Sequence, residues 1–498
     1  MENNNQSWEM PKPAEKQAPY FPAGSREMIF GIALIVIGSL LCNSILYAGF
    51  YLGFALFSGC AVACSTVYLL CSGRKLNGYT GALLGLSLVI CGSFGRSDDG
   101  FVKFVMLCFL LLSSNLALCL LAGQNRRSPN GFASLLDAPR TVFMMGLGKL
   151  PESFRGLRIG IKNSGSAGRK GSAVLLGLII AVPLLAIVIP LLVSADAAFD
   201  ALLQQLPDWE LGELIGSLIA GVMLAAFLYA RGTALHHAQK PSAAAASRKG
   251  IHPLTVNTVL IAVSVVYAVY LFSQLAYFAG GFSGILPKGY TAAEYARRGF
   301  FEMAWLCAIN LGIIALAVGL VAKNPASPLL TRLICLFIGI VTLFLVVSAS
   351  AKMFLYIDGF GLTRLRVLTQ VIIFFIGISN VLVCVWLFVP KLAYMKVILL
   401  TGLILGVAVA WADVDTVVAA YNVNAYQTGK LETVDVEYLD SLGNGAIPYI
   451  ARLREDADPA VSEAAKNALL EGWKIHDFRE WNFTTFVAED YIFTSKHT

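Results

Sequence analysis

Glu294, Arg297, Arg298 and Glu302 stand at helical spacing in YTAAEYARRGFFEMAW, directly ahead of a long apolar run. Glu294 with Arg298 and Arg298 with Glu302 form i,i+4 pairs, each worth a few tenths of a kcal/mol when exposed. Thr291 and Glu294 have the form of a capping box, so a helix is expected from Ala292, and the first charges then cap, orient and snorkel. Glu302 lies one turn deeper, snorkels less far and needs a cationic partner. Lys352, Arg364 and Arg366 in SASAKMFLYIDGFGLTRLR are the candidates, with Tyr356 one turn after Lys352. Guanidinium groups recognise carboxylate or phosphate bidentately, so these cations gathered around Glu302 would hold an anionic small molecule or a lipid head group. Tyr267, Tyr270, Gln274 and Tyr277 share one side of the preceding apolar segment. Such a stripe is more often bundle packing or an aromatic belt. Together with Asn310, Gln370 and Asn380 it also has the composition of a polar cavity wall.

Other residues suggest metal chemistry, and each has a plainer explanation. Asp413-Val-Asp415 has the form used by metal-dependent glycosyl transferases, but Asp415 reads better as the N-cap of a helix over Thr416 to Tyr421. Asp98-Asp99 with Gly100 reads as a turn. His236-His237 is a potential ligand pair with no third ligand spaced to join it. Cys60, Cys64 and Cys71 share a helical face and read as soft packing residues. No nucleotide loop, zinc motif or Ser/His nucleophile pattern occurs, so no cofactor, metal or catalytic residue is expected.

The elements that position these groups must be membrane helices. Hydrophobic residues make up 57% of the chain and charged residues 14%, against about 45–50% and 25% in soluble domains. The apolar runs are long enough to cross about 30 Å of hydrocarbon as helices. Eleven spans are expected, centred on Ile35, Gly59, Leu86, Leu111, Ala181, Val222, Val266, Ile313, Val341, Phe375 and Leu405. Only Asn43 to Gly49 separates the first two. The expected fold is an all-α polytopic bundle. With the N-terminus inside, the inner segments hold 22 Lys and Arg and the outer ones before the tail hold 8, which favours N-in, C-out insertion of a multi-pass membrane protein. The ten cysteines all fall in or beside spans, so no disulfide framework is implied.

Five regions follow: a disordered cytoplasmic N-terminus over 1–25, a four-helix membrane segment over 26–123, a basic cytoplasmic interfacial loop over 124–172, a seven-helix core over 173–412 and an acidic extracytoplasmic helical tail over 413–498. In the basic loop, Phe143, Met144, Leu147, Leu150, Phe154 and Leu157 alternate with Arg140, Lys149, Arg155, Arg158 and Lys162. Such an element lies on an anionic leaflet, each cation contributing roughly 1 kcal/mol. A nucleic-acid role is not expected, because no recognition fold accompanies the charge. Small-residue spacings such as Gly212/Gly216, Ser217/Gly221 and Gly402/Gly406 favour close helix approach. In the tail, Asp458-Pro459 starts a helix over Ala460 to Gly472, and Val434 to Leu453 supplies an interrupted one. Trp473, Phe478, Trp481 and Phe483 are expected to dock the tail on the membrane part.

EYARRGFFEM, KMFLYIDGFGLTRLR, DVDTVVAAYNVNAYQTG, VEYLDSLGNGAIPYI and FREWNF follow one another between Leu254 and Phe483. In this order they resemble a large family of bacterial polytopic membrane proteins known only as a domain of unknown function. The resemblance implies a helical membrane fold in the bacterial envelope and supplies no activity, cofactor or catalytic residue. Family members often carry Asn-Pro-Asp or Asn-Val-Asp before the Tyr-Asn pair; here Ala412 replaces the leading Asn. Three functions are consistent with these residues. The first is binding or transport of an anionic small molecule or lipid through an outer-leaflet cavity, and the second a sensor or assembly partner that meets a protein through the outer tail. The third is a metal-dependent enzyme acting on lipid-linked substrates through Asp413 and Asp415 or Asp98 and Asp99.

Overall fold

The computed structural model describes residues 20–96, 98–163, 211–238, 252–281, 300–321, 329–471 and 481–496, with a few single positions between 184 and 196. Within them the chain is helical, and no strand occurs among the described residues. The helices are α1 Ser25–Asn43, α2 Leu52–Cys71, α3 Gly78–Ser93, α4 Gly100–Ala122, α5 Leu150–Asn163, α6 Leu211–His237, α7 Pro253–Gly281, α8 Phe300–Val321, α9 Leu329–Phe360, α10 Arg364–Phe388, α11 Tyr394–Ala412, α12 Val414–Gln427, α13 Val436–Asp440, α14 Pro459–Glu471 and α15 Phe483–Lys496. Short helical turns fill Gly443 to Leu453.

Eight of these helices are long and apolar enough to cross a membrane, and α3 and α8 are shorter apolar helices in their described parts. Ten of the eleven expected spans therefore have a helix, and the one centred on Ala181 lies outside the described residues. The first two spans are separate, because the helix that ends at Ala48 stops at Gly49, whose φ of 93° continues no helix, before α2 starts at Leu52. Side-chain caps fix several starts: Asn77 accepts from Thr80 N at 2.8 Å and Asp99 from Val102 N at 2.9 Å. Along α7, Val265, Val266, Val269 and Phe272 are largely exposed. An apolar face of that extent suits lipid or another apolar surface.

The chain divides into two compact units, one formed by Met1–Ser39 and Arg140–Gln239 and the other by Leu40–Pro139 and Lys240–Thr498. In the first, α5 turns its small residues toward the chain ahead of α1. A Cβ at Gly156 would fall 1.5 Å from Phe21 O, and one at Gly160 would fall 2.3 Å from Ala23 O. Its hydroxyl side meets α6, where Ser153 Oγ and Thr233 Oγ1 are 2.9 Å apart. Arg155, Arg158 and Lys162 remain outward beside Phe154. The α1–α6 crossing is also close: a Cβ on Gly221 would lie 2.3 Å from Ser39 Cα, and one on Gly38 would lie 2.8 Å from Gly221 O.

In the second unit, α9 is the central helix of α7 to α10 and carries one polar face. Thr331 donates to Asn257 Oδ1 at 2.6 Å, Asn380 Nδ2 to Gly339 O at 2.8 Å, Asn310 Nδ2 to Thr342 Oγ1 at 3.0 Å, and Gln370 Nε2 to Ser350 Oγ at 3.0 Å. Nineteen residues of helix from Thr331 to Ser350 cover about 28 Å, so these bonds run nearly the whole hydrocarbon depth. Met303, Cys307, Val341, Leu345 and Ile373 fill the space beside them. In lipid, interhelical hydrogen bonds of this kind add to close packing in setting how helices associate. The tail has a core of its own, with Val418, Val423, Leu439, Leu442 and Ile450 packed against Leu362, Val367 and Val409 of the spans.

Candidate functional site

The tail meets the spans at the turn between α9 and α10, where most of the polar residues of LYIDGFGLTRLR find partners. Gly361 takes a φ of 73°, and a Cβ there would strike Asn422 Oδ1 at 2.6 Å. Only glycine lets the backbone come that close. Asn422 of α12 then grips the turn from both sides, accepting from Leu362 N at 2.7 Å and donating to Leu362 O at 2.8 Å. Thr363 caps α10 by accepting from Arg366 N at 3.4 Å. Arg366 donates to Phe360 O at 3.0 Å and to Gly361 O, and its guanidinium lies 4.1 Å above the Tyr356 ring. Asp358 pairs with Lys430 at 2.6 Å on the exposed rim.

Arg364 is the centre of the junction. Its guanidinium bonds the Asp415 carboxylate, lies 3.3 Å from Asp99 Oδ2 and donates to Leu442 O at 3.3 Å, while its backbone N donates to Tyr438 OH at 3.0 Å. Asp99, Asp413 and Asp415 are 7%, 2% and 2% exposed. Arg364 therefore faces two of these buried acids, with Asp413 close to Asp415, and ionised carboxylates are costly there unless paired. Asp415 carries the consequence: burial pushes its carboxyl up to about 6, Arg364 pulls it back, and Asp99 and Asp413 push it further up. Asp413 accepts from Thr416 Oγ1 at 2.6 Å; that hydroxyl also faces Gly445 O at 3.3 Å. Asp98 accepts from Asn444 at 3.0 Å and Asn482 at 2.6 Å, with Lys103 3.9 Å away. Leu52 N donates to Trp481 O at 3.4 Å, and Arg96 stacks on Phe483 at 4.2 Å.

Several sequence expectations change here. Glu302 is exposed and makes no ion pair among the described residues, so it is not tied to Lys352, Arg364 or Arg366. Arg364 is instead taken by Asp415 of the tail and Asp99 ahead of α4, and Arg366 by carbonyls of its own turn. Glu294, Arg297 and Arg298 lie outside the described residues, as do Trp473, Phe478 and the side chains of Gln274 and Tyr277. Tyr270 and Tyr356 pack half-buried against the α8–α10 core, and Tyr267 OH donates to Asn310 Oδ1. Lys352 is half-buried on α9. Asp415 is not the cap of α12: the helix starts at Val414, the N-cap position is Asp413 with φ 54°, and Asp415 sits inside the first turn facing Arg364. Asp99 caps α4 and Asp458 caps α14, accepting from Ala460 N at 2.9 Å. The two acid pairs, separated by more than three hundred residues, are brought to one junction. What occupies the space between Asp99 and Asp415 is a guanidinium, so the place a cation would take is already filled.

Long apolar helices with a helical module packed on their ends define an α-helical polytopic membrane protein. The chain belongs to the family described as Domain of unknown function (DUF4153), whose model matches residues 33–453. That match begins inside α1, so the early spans belong to the shared region as well as the later motifs. No curated protein and no solved structure matches the chain.

Proposed function

We propose that the protein works through its tail, as a sensor or assembly partner at the outer face of the bacterial cytoplasmic membrane. The observation that carries this reading is Arg364 held between Asp415 of the tail and Asp99 of the spans. Arg364, one of the cations expected to receive an anionic ligand, is spent on fastening the tail, which weakens the transport reading relative to the sensing one. Among the described residues the tail also presents largely exposed apolar side chains, with Leu470 79% exposed on α14 and Phe486 54% exposed on α15. Outside the bilayer such groups suit a protein partner. A photocrosslinking residue at Leu470 in intact cells is expected to give a discrete protein adduct that disappears in Arg364→Met; a wild-type chain that gives none, or an adduct indifferent to Arg364, defeats the proposal.

The junction is also expected to respond to acid. A carboxyl held at about 6 when folded and near 4 when unfolded binds its proton more tightly in the folded state. Its contribution is therefore complete below about pH 4 and is lost as pH rises through about 6. Protease protection of the tail should fall over that window in the wild type and stay flat in Asp415→Asn. Equal slopes in both would assign the dependence to another group.

A second reading, transport through α7 to α10, is favoured by Gln370 Oε1 and Asn380 Oδ1, which are buried beside α9 without hydrogen-bond partners among the described residues. Gln370→Leu would then abolish flux of a polar solute while the chain still inserts. At α5, Arg155, Arg158 and Lys162 beside exposed Phe154 suit an anionic leaflet.

A further inference from the structure

His236 and His237 end α6, and Glu27 stands in the first turn of α1, 210 residues away from His237. Folding brings the three together: their donor atoms all lie within 4.8 Å of one another, the one such group of three His, Cys, Asp or Glu side chains among the described residues. His237 Nε2 and Glu27 Oε1 are 3.3 Å apart. Two ligands at about 2.0–2.2 Å from a tetrahedral ion sit roughly 3.3–3.6 Å apart, so this pair already has a ligand spacing. The His236 and His237 rings are 4.1 Å apart between centroids.

The surroundings fix the ligands as outer partners do in metal centres. Gly24 N donates to Glu27 Oε2 at 2.8 Å, which leaves Oε1 to face the histidines. The Phe21 ring stacks on His237 at 6.1 Å between centroids, with an 18° angle between planes. Glu27 is 8% exposed, so its carboxylate faces the histidines largely out of solvent. Two imidazole nitrogens and one carboxylate oxygen form a donor set suited to zinc and its neighbours rather than to calcium or magnesium. We propose that Glu27, His236 and His237 form a binding site for a divalent transition-metal ion of the zinc class, with water in the fourth position.

The full-length chain, purified in detergent and stripped of metal, is titrated with Co2+ while the visible spectrum is followed, and then with Zn2+ by calorimetry. One equivalent of Co2+ with the intense absorption of a four-coordinate ion, displaced by Zn2+, is the expected result. Glu27→Gln and His237→Ala should each weaken binding at least tenfold, and His252→Ala, outside the cluster, should leave it unchanged. Thermal unfolding of the metal-free variants identifies any that fail to fold. A wild-type chain that gives only six-coordinate Co2+ or binds less than one equivalent overturns the site whatever the variants do. Binding retained in a folded His236→Ala/His237→Ala chain overturns it equally.

Discussion

Arg364→Met is expected to lower the unfolding free energy by about 2–4 kcal/mol and to expose α14 to protease. Breaking a buried ion pair from one side costs about 3–5 kcal/mol, because the partner is left charged without compensation. Here two partners are left, Asp99 and Asp415, each almost fully buried. Two features limit the loss. The arginine side chain is itself 36% exposed, and a carboxyl already held at about 6 takes a proton with little penalty at neutral pH. Combining Arg364→Met with Asp99→Asn and Asp415→Asn should recover more than half of the loss, since the amides need no countercharge. Denaturant unfolding of all three chains in the same detergent checks this. A single variant within 1 kcal/mol of wild type would remove the charged junction as the fastening of the tail.

Gly221→Leu should be at least as damaging, at about 3 kcal/mol or more, beyond the usual range for an added side chain in a packed interior. The reason is what the new atoms meet: a Cβ at this position lies 2.3 Å from Ser39 Cα and 2.5 Å from Ser39 N, and a backbone cannot rotate aside as a side chain can. The two helices must separate, and every contact of the α1–α6 crossing goes with them. Gly212→Leu, in the same helix with nothing within 4 Å of its Cβ among the described residues, is the control and should change stability little. Unfolding of both variants is measured side by side, and equal effects would mean that the crossing tolerates separation.

These two cases show what the sequence reveals and what it hides. A run of twenty apolar residues has one stable solution in lipid, so the spans could be read locally, and so could caps such as Asp99, whose partner Val102 is three residues away. Gly221 could be singled out by its four-residue spacing from Ser217, but the same rule named Gly212, which approaches nothing. The partner decides, and the partner is remote. Arg364 illustrates this best. Its type and place between two spans advertised a charge that needed neutralising, and Glu302 was the acid of suitable depth. Asp99 and Asp415 were available too, and nothing in their local pattern distinguished a helix cap from a counterion. His236-His237 lacked a third ligand only along the chain; in the fold Glu27 stands beside them. Local chemistry fixed the helices, and long-range geometry chose their partners.

The joint at Asp413 has a mechanical consequence. One residue, in left-handed conformation, separates the end of α11 at Ala412 from the start of α12 at Val414. A tether that short has no slack. With α12 gripped at Leu362 and α11 rooted among the spans, a torque applied to the tail passes into the last transmembrane helix undiminished, as through a lever with a stiff elbow.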